Sequence, residues 1–235
     1  MDTQLTIERL FEALIQGDRN EARAIVQETA SQGMEAEILV SEVFWPVYET
    51  VDKMFRNDQL STLGHHFATR LLRVLVDQAS LRFCQGAHNG RRVLAFCGPT
   101  DADELGAQMS VDLLEQAGFE IAFAGGGIAN DEILERVQNT QPDVLLMFAS
   151  APTDLPNIRA LIDTIQEIGA TQELQVVVGG GVFNRADGLA EEIGADLWAT
   201  RPDELVAAMT DQPERRAAPD QRTVGRTRRP AARAA

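Results

Sequence analysis

After Asn89-Gly90 the chain alternates five times between a compact apolar run and a longer stretch of helical period. The first run, Arg92-Val-Leu-Ala-Phe-Cys97, breaks at Gly98-Pro99 and leads into Glu104–Ala117. Phe119–Ala124 then precedes Asp131–Asn139, Val144–Ala149 precedes Leu155–Ile168, Gln175–Val178 precedes Arg185–Ile193, and Leu197–Thr200 precedes Pro202–Met209. Strand and helix in strict alternation predict a parallel, doubly wound, flavodoxin-like α/β sheet of five strands, with right-handed crossovers and helices on both faces. Ligands of such sheets bind beyond the carboxyl ends of the strands, at the switch point. The unusual residues lie at those ends: Gly98–Gly106, Gly125-Gly-Gly127, Ser150-Ala-Pro-Thr153 and Gly179-Gly-Gly181.

Upstream the period is 3.6 throughout, as in Ile7, Leu10, Phe11, Leu14 and Ile15, or Ala22, Ile25 and Val26. Gln16-Gly-Asp18, Ser31-Gln-Gly33 and Arg56-Asn-Asp58 divide the segment into four or five helices, and Ser61 is the expected N-cap of the last. The expected organisation is a helical bundle over 1–86, an α/β domain over 91–210, and a tail over 211–235.

Of 36 acidic and 21 basic side chains, 3 and 7 respectively fall in that tail, leaving a strongly acidic body. An acidic surface repels nucleic-acid phosphates, which excludes direct binding by the folded part. The tail is rich in Arg, Pro and Ala, cannot offset its ordering entropy, and is expected to be disordered. No apolar stretch reaches the ~20 residues of a membrane span and no leader pattern opens the chain, so the expected setting is the cytoplasm. Cys84 and Cys97 form neither a CxxC pair nor a disulfide framework.

Gly179-Gly-Gly181 admits positive φ angles or the close approach of a ligand, and equally suits a tight strand-to-helix turn. It lacks the lysine of a phosphate-binding loop, Lys53 being the only lysine in the chain. The first loop is not Gly-x-Gly-x-x-Gly, which argues against a dinucleotide site. No nucleophile–base pair or carboxylate dyad emerges, so the expectation is a binding or regulatory protein rather than an enzyme. Adjacent His65 and His66 point about 100° apart on a helix and do not suit one ion. His88 falls in the linker, and Trp45 follows the apolar pattern of a core.

Bundle, linker and five-stranded domain together resemble the cobalamin-binding module of methionine synthase, methyltransferase corrinoid proteins and B12-dependent light-sensing repressors, over about residues 5–210. That family carries Asp-x-His-x-x-Gly after the first strand, Ser-x-Leu or Ser-x-Thr after the third, and Gly-Gly after the fourth. The matching stretches are Asp101-Ala-Asp103-Glu-Leu-Gly106, Ser150-Ala-Pro-Thr153 and Gly179-Gly180-Gly181. The resemblance implies that the nucleotide tail of cobalamin slots in near the serine and glycines, with the family's histidine below cobalt. Here that histidine is Asp103, a hard oxygen donor where imidazole suits cobalt. Asp103 could reach the metal, hold a water beneath it, or serve only as an acid at a helix N-terminus. In the light-sensing relatives a Trp, nine residues, then Glu-His cover the upper face of adenosylcobalamin. Here Phe55, nine residues, then His65-His66 stand in those places, which leaves no acid for an adenosyl ribose and offers His66 as an upper ligand.

The resemblance thus implies a cobalamin-binding sensor, regulator or carrier that holds the corrinoid with its base off and no histidine below cobalt. A protein partner would read or use it, and a methyl-carrier role would pair it with a separate methyltransferase. Alternatives are a relative binding haem or a bilin, or a scaffold without cofactor. No DNA-binding helix–turn–helix precedes the bundle, so a transcriptional role would run through a second protein. Oligomeric state stays open.

Overall fold

The computed structural model describes residues 2–169 and 173–217. Five α-helices form the N-terminal bundle: α1 (Thr3–Gln16), α2 (Arg19–Ser31), α3 (Ala36–Leu39), α4 (Trp45–Arg56) and α5 (Thr62–Ser80). The sequence punctuation marks real boundaries. Asp2, Asp18 and Ser61 each accept backbone N–H bonds at a helix start, and Gly17 closes α1 at φ +72°. A π-helical turn, Val40–Phe44, joins α3 to α4 and was not anticipated. Pro46 follows it within the first turn of α4. Proline has no N–H and its ring crowds the preceding turn, so a locally widened helix absorbs it without breaking the rod.

The second unit runs β1 (Arg92–Cys97), α6 (Asp101–Gln116), β2 (Glu120–Gly126), α7 (Asn130–Thr140), β3 (Val144–Phe148), α8 (Leu155–Ile168), β4 (Gln175–Gly179), α9 (Gly181–Asn184), α10 (Leu189–Glu192), β5 (Leu197–Ala199) and α11 (Pro202–Asp211). The sheet is all parallel in the order β2-β1-β3-β4-β5. Its direction of winding reverses between β1 and β3, which is the switch point. Alternate residues of each strand face opposite layers. Leu94, Phe96, Leu145, Met147, Val176 and Val178 pack under α7 and α8, while Val93, Ala95, Val144, Leu146, Phe148 and Val177 pack under α6 and α11.

One expected element is different. The helix predicted over Arg185–Ile193 is confined to α10 (Leu189–Glu192), while a separate short helix, α9, ends before it at Asn184; Gly188 at φ +78° interrupts continuous winding between them.

Helix α6 joins the two units. Ala107, Val111 and Leu114 lie on the sheet, while Ala102, Leu105, Met109 and Leu113 enter the bundle's own core beside Leu72, Leu75 and Tyr48. Ion pairs Arg73–Glu104 (3.2 Å) and Arg201–Glu42 (2.9 Å) flank the seam. At the opposite end the linker is pinned by Gly86 N donating to Gln116 O (2.7 Å) and Asn89 N to Gly118 O (3.0 Å).

The tail expected from 211 is ordered as far as 217. Gln175, fully buried, donates from Nε2 to Gln212 O (2.9 Å) and Arg215 O (3.1 Å), and Ala217 N donates to Asp196 Oδ1 (2.6 Å). Arg215 stacks over Trp198, 5.1 Å from the ring centre. Buried polar groups at the amino ends of β4 and β5 need partners, and this segment supplies them. Residues 218–235, the rest of the expected disordered tail, lie outside the described residues. Among the described residues no helix is long and apolar enough to cross a membrane.

Candidate functional site

The loops after β1, β3 and β4 meet α4 and α5 of the bundle, Gly106 and Ser150 at Tyr48, Gly181 at Arg56 and Asp101 at Arg70, whereas Gly127 after β2 lines a separate cavity. Helix α6 starts with a reciprocal cap: Thr100 Oγ1 accepts from Asp103 N (3.1 Å), and Asp103 Oδ2 accepts from Thr100 N (3.3 Å) and from the Thr100 hydroxyl (2.5 Å). The cap buries Asp103 to 3% exposure and leaves Oδ1 with no hydrogen-bond partner. A carboxylate oxygen in that state is costly unless something completes it.

Tyr48, the only tyrosine, reaches down from α4 onto this loop. A Cβ built on Gly106 would lie 2.7 Å from the Tyr48 hydroxyl and 3.0 Å from Cζ, so only glycine lets the ring settle there. Burial raises the phenol above its ordinary pKa and the charge of Asp103 raises it further, while a hydrogen bond with Ser150 opposes both. Asp103, Gly106 and Ser150 are therefore gathered around one buried hydroxyl, from a residue that sequence reading did not single out. Its only signal was its place in Phe44-Trp-Pro-Val-Tyr48.

Gly180 has φ +101°, and a Cβ there would sit 2.4 Å from Ala149 O. This turn presses the loop after β4 against the end of β3, with Ala149 N bonded to Gly179 O (3.0 Å) and Val182 N to Ala149 O (3.2 Å). Gly179 packs on Phe148, whose ring would lie 3.1 Å from a Cβ. Thr153 is exposed on a 3-10 turn, Pro152–Asp154, apart from this cluster.

On the bundle side Phe55 and His65 stack with centroids 4.0 Å apart and planes at 21°. His65 is the buried member of the pair, with Nε2 lacking a partner, while His66 is exposed. Desolvation lowers the His65 pKa, helped by His66 and opposed by Asp101. Asp101 itself faces Arg70 at 3.8 Å, and Arg73 donates to Asp101 O (3.3 Å). Of the two histidines it is thus His65, not the expected upper ligand His66, that is buried with a free ring nitrogen.

A cavity of about 410 Å³ continues the crevice between α4 and the loop after β4, bounded by Trp45, Tyr48, Lys53, Arg56, Gly181 and Arg185. Another, of about 500 Å³, lies under α7 and α8 and reaches the neighbourhood of Asp103 through Cys97, Gly98 and Asp154. Among the described residues no group of three or more His, Cys, Asp or Glu side chains is placed to hold a metal ion. Unpartnered Asp103 Oδ1 and His65 Nε2, together with glycines that admit close approach, suit a ligand with a polar rim and a metal core.

Comparison with known proteins agrees. The family model described as B12 binding domain matches residues 91–207, and a second B12 binding domain model matches residues 6–79. Dimethylamine corrinoid protein 1 of Methanosarcina acetivorans is 29% identical over 107 residues, which is 46% of this chain and 49% of that protein. The dimethylamine corrinoid protein of Methanosarcina barkeri is 26% identical over 125 residues, 52% of this chain and 58% of its own. The match thus spans about half the length of these curated relatives. The solved Methanosarcina barkeri monomethylamine corrinoid protein superimposes with a TM-score of 0.78 at 17% identity, covering 88% of this chain and 98% of that one, which speaks to the fold. Cobalamin is the ligand these matches support, and with one B12-binding domain matched on the bundle and one on the parallel sheet, the chain belongs to the B12-binding domain family.

Proposed function

We propose that this protein carries cobalamin for a separate protein partner and holds it with the nucleotide base away from cobalt and no histidine beneath the metal. The observation that supports this reading is Asp103: it occupies the family's histidine position, buried, capped to Thr100 through Oδ2 and unpartnered at Oδ1. In the proposed complex Asp103 lies on the lower side, while Phe55 and His65 cover the upper side from the bundle. Gly106, Ser150 and Gly179-Gly180-Gly181 line the path of the nucleotide tail. Bound cobalamin supplies a cobalt centre able to carry an organic group. The chain's residues bind it, orient it and exclude water, and the chemistry is completed by the partner.

A carrier is favoured over a sensor because the similar proteins bear the names of methylamine corrinoid proteins. A methyltransferase is then the expected partner. Asp103 would offer a hard carboxylate oxygen where the family has an imidazole, a poorer match to cobalt.

The test is direct. Apoprotein is incubated with hydroxo-, methyl- or adenosylcobalamin, desalted, and its visible spectrum recorded. A co-eluting corrinoid with a base-off spectrum is expected. A protein fraction without corrinoid overturns the reading, and uptake of haem or biliverdin in parallel samples would replace it with another tetrapyrrole.

A further inference from the structure

At the mouth of the loop after β4, two guanidinium groups from different units converge on one glycine. A Cβ on Gly181 would lie 2.6 Å from Arg185 Nη1 and 3.7 Å from Arg56 Nη1. Arg185 is anchored by its other terminal nitrogen, which donates to Ser150 O (2.5 Å), and the side chain lines the cavity. Arg56 pairs with Asp52 one turn back on α4. Desolvation and the charge of Arg185 both lower the Arg56 pKa, the mark of two like charges brought together at a half-covered spot. Lys53, the sole lysine, lines the same cavity.

Its charged lining is Lys53, Arg56 and Arg185 against Glu49 and Asp52. The cavity is thus locally cationic in a chain of net charge −15. Burial raises the Glu49 pKa, opposed by the charge of Arg201 and a hydrogen bond with Trp45. Planar forks of N–H donors match phosphate oxygens.

We infer that Arg56, Arg185 and Lys53 form an anion subsite that takes the phosphodiester of cobalamin, the one anionic group in its nucleotide loop. This rests on the cobalamin reading and adds to it a charge-based determinant for the tail. The subsite is composed of one arm from the bundle and one from the α/β domain, and filling it would also fasten the two units across the crevice.

Affinities of the full chain for cobalamin, cobinamide phosphate and cobinamide, measured by absorbance titration, test the assignment. The phosphate-bearing corrinoids are expected to bind at least about tenfold more tightly than cobinamide, and Arg56→Gln/Arg185→Gln to remove that advantage while leaving cobinamide binding unchanged. Arg185→Lys, which keeps the charge but loses the fork, should retain part of it. Equal affinity for the three corrinoids in the unaltered protein overturns the subsite and leaves the cobalamin reading standing. So does a uniform loss in the double variant. Binding of none of them overturns both. Inorganic phosphate is titrated separately, and its tight uptake without any preference among corrinoids would assign the arginines to a free phosphate ligand instead.

Discussion

Asp103 and Thr100 cap each other across the first turn of α6, the Thr100 hydroxyl donating to Asp103 Oδ2 at 2.5 Å. Asp103 is thus committed through Oδ2 to the fold and unpartnered at Oδ1. Asp103→Ala is expected to destabilise by about 1 kcal/mol through loss of the cap, a modest cost because the variant also removes a buried, unpartnered oxygen. Asp103→His returns an imidazole to the position. It is expected to shift the visible spectrum of bound hydroxocobalamin, and an unchanged spectrum would place Asp103 away from cobalt.

Tyr48 and Gly106 are a matched pair. Gly106→Ala puts a methyl group 2.7 Å from the phenol oxygen and is expected to cost about 1–3 kcal/mol in urea denaturation. Tyr48→Phe on that background removes the atom in conflict and should recover part of the loss. Additive effects of the two substitutions would show that they do not touch.

Gly180 bears strain that no L side chain accommodates, from φ +101° and from a carbonyl 2.4 Å from the Cβ site. Gly180→Ala is expected to lower stability by about 2–4 kcal/mol and to weaken corrinoid retention on desalting. Gly127→Ala, also at positive φ but with nothing within 4 Å, should cost less and spare retention.

Asp112, on α6 where it faces α5, is 6% exposed and accepts from Gln108 Nε2 at 2.5 Å, with Oδ2 unpartnered. Desolvation pushes its pKa up to about 7, Gln108 opposes, and Glu115 and Asp77 add to the rise. The folded chain therefore holds a proton that the unfolded chain releases near 3.8. The stability this contributes is fully present below the unfolded pKa and is lost as pH rises through about 7. Asp112→Asn is expected to stabilise by on the order of 1–3 kcal/mol at pH 8 and by little at pH 4, read from urea midpoints across that range. A variant with the same pH slope as the unaltered chain would refute this.

The architecture was legible because local pattern decides it. Arg92–Cys97 is apolar on both faces since helices cover both, and Leu155–Ile168 has a helical stripe with glycine at its end. Ser61 and Gly17 were readable as cap and turn for the same reason: each satisfies backbone groups a few residues away. Local pattern failed at Arg185–Ile193 and at Val40–Phe44, where one residue, Gly188 or Pro46, redirects a stretch that otherwise has helical spacing.

From sequence alone, then, came the fold class, the order of the loops around the crevice, and the expectation that Asp103 stands where the family has its histidine. Tertiary structure alone decided that His65 rather than His66 is buried, that Tyr48 sits on Gly106, and that Arg56 and Arg185 meet at Gly181. The physical reason is separation along the chain. Caps, strands and helices are set by neighbours within a few residues, whereas these contacts join α4 or α5 to loops of the sheet, and only the packing of α6 between the two units brings them together.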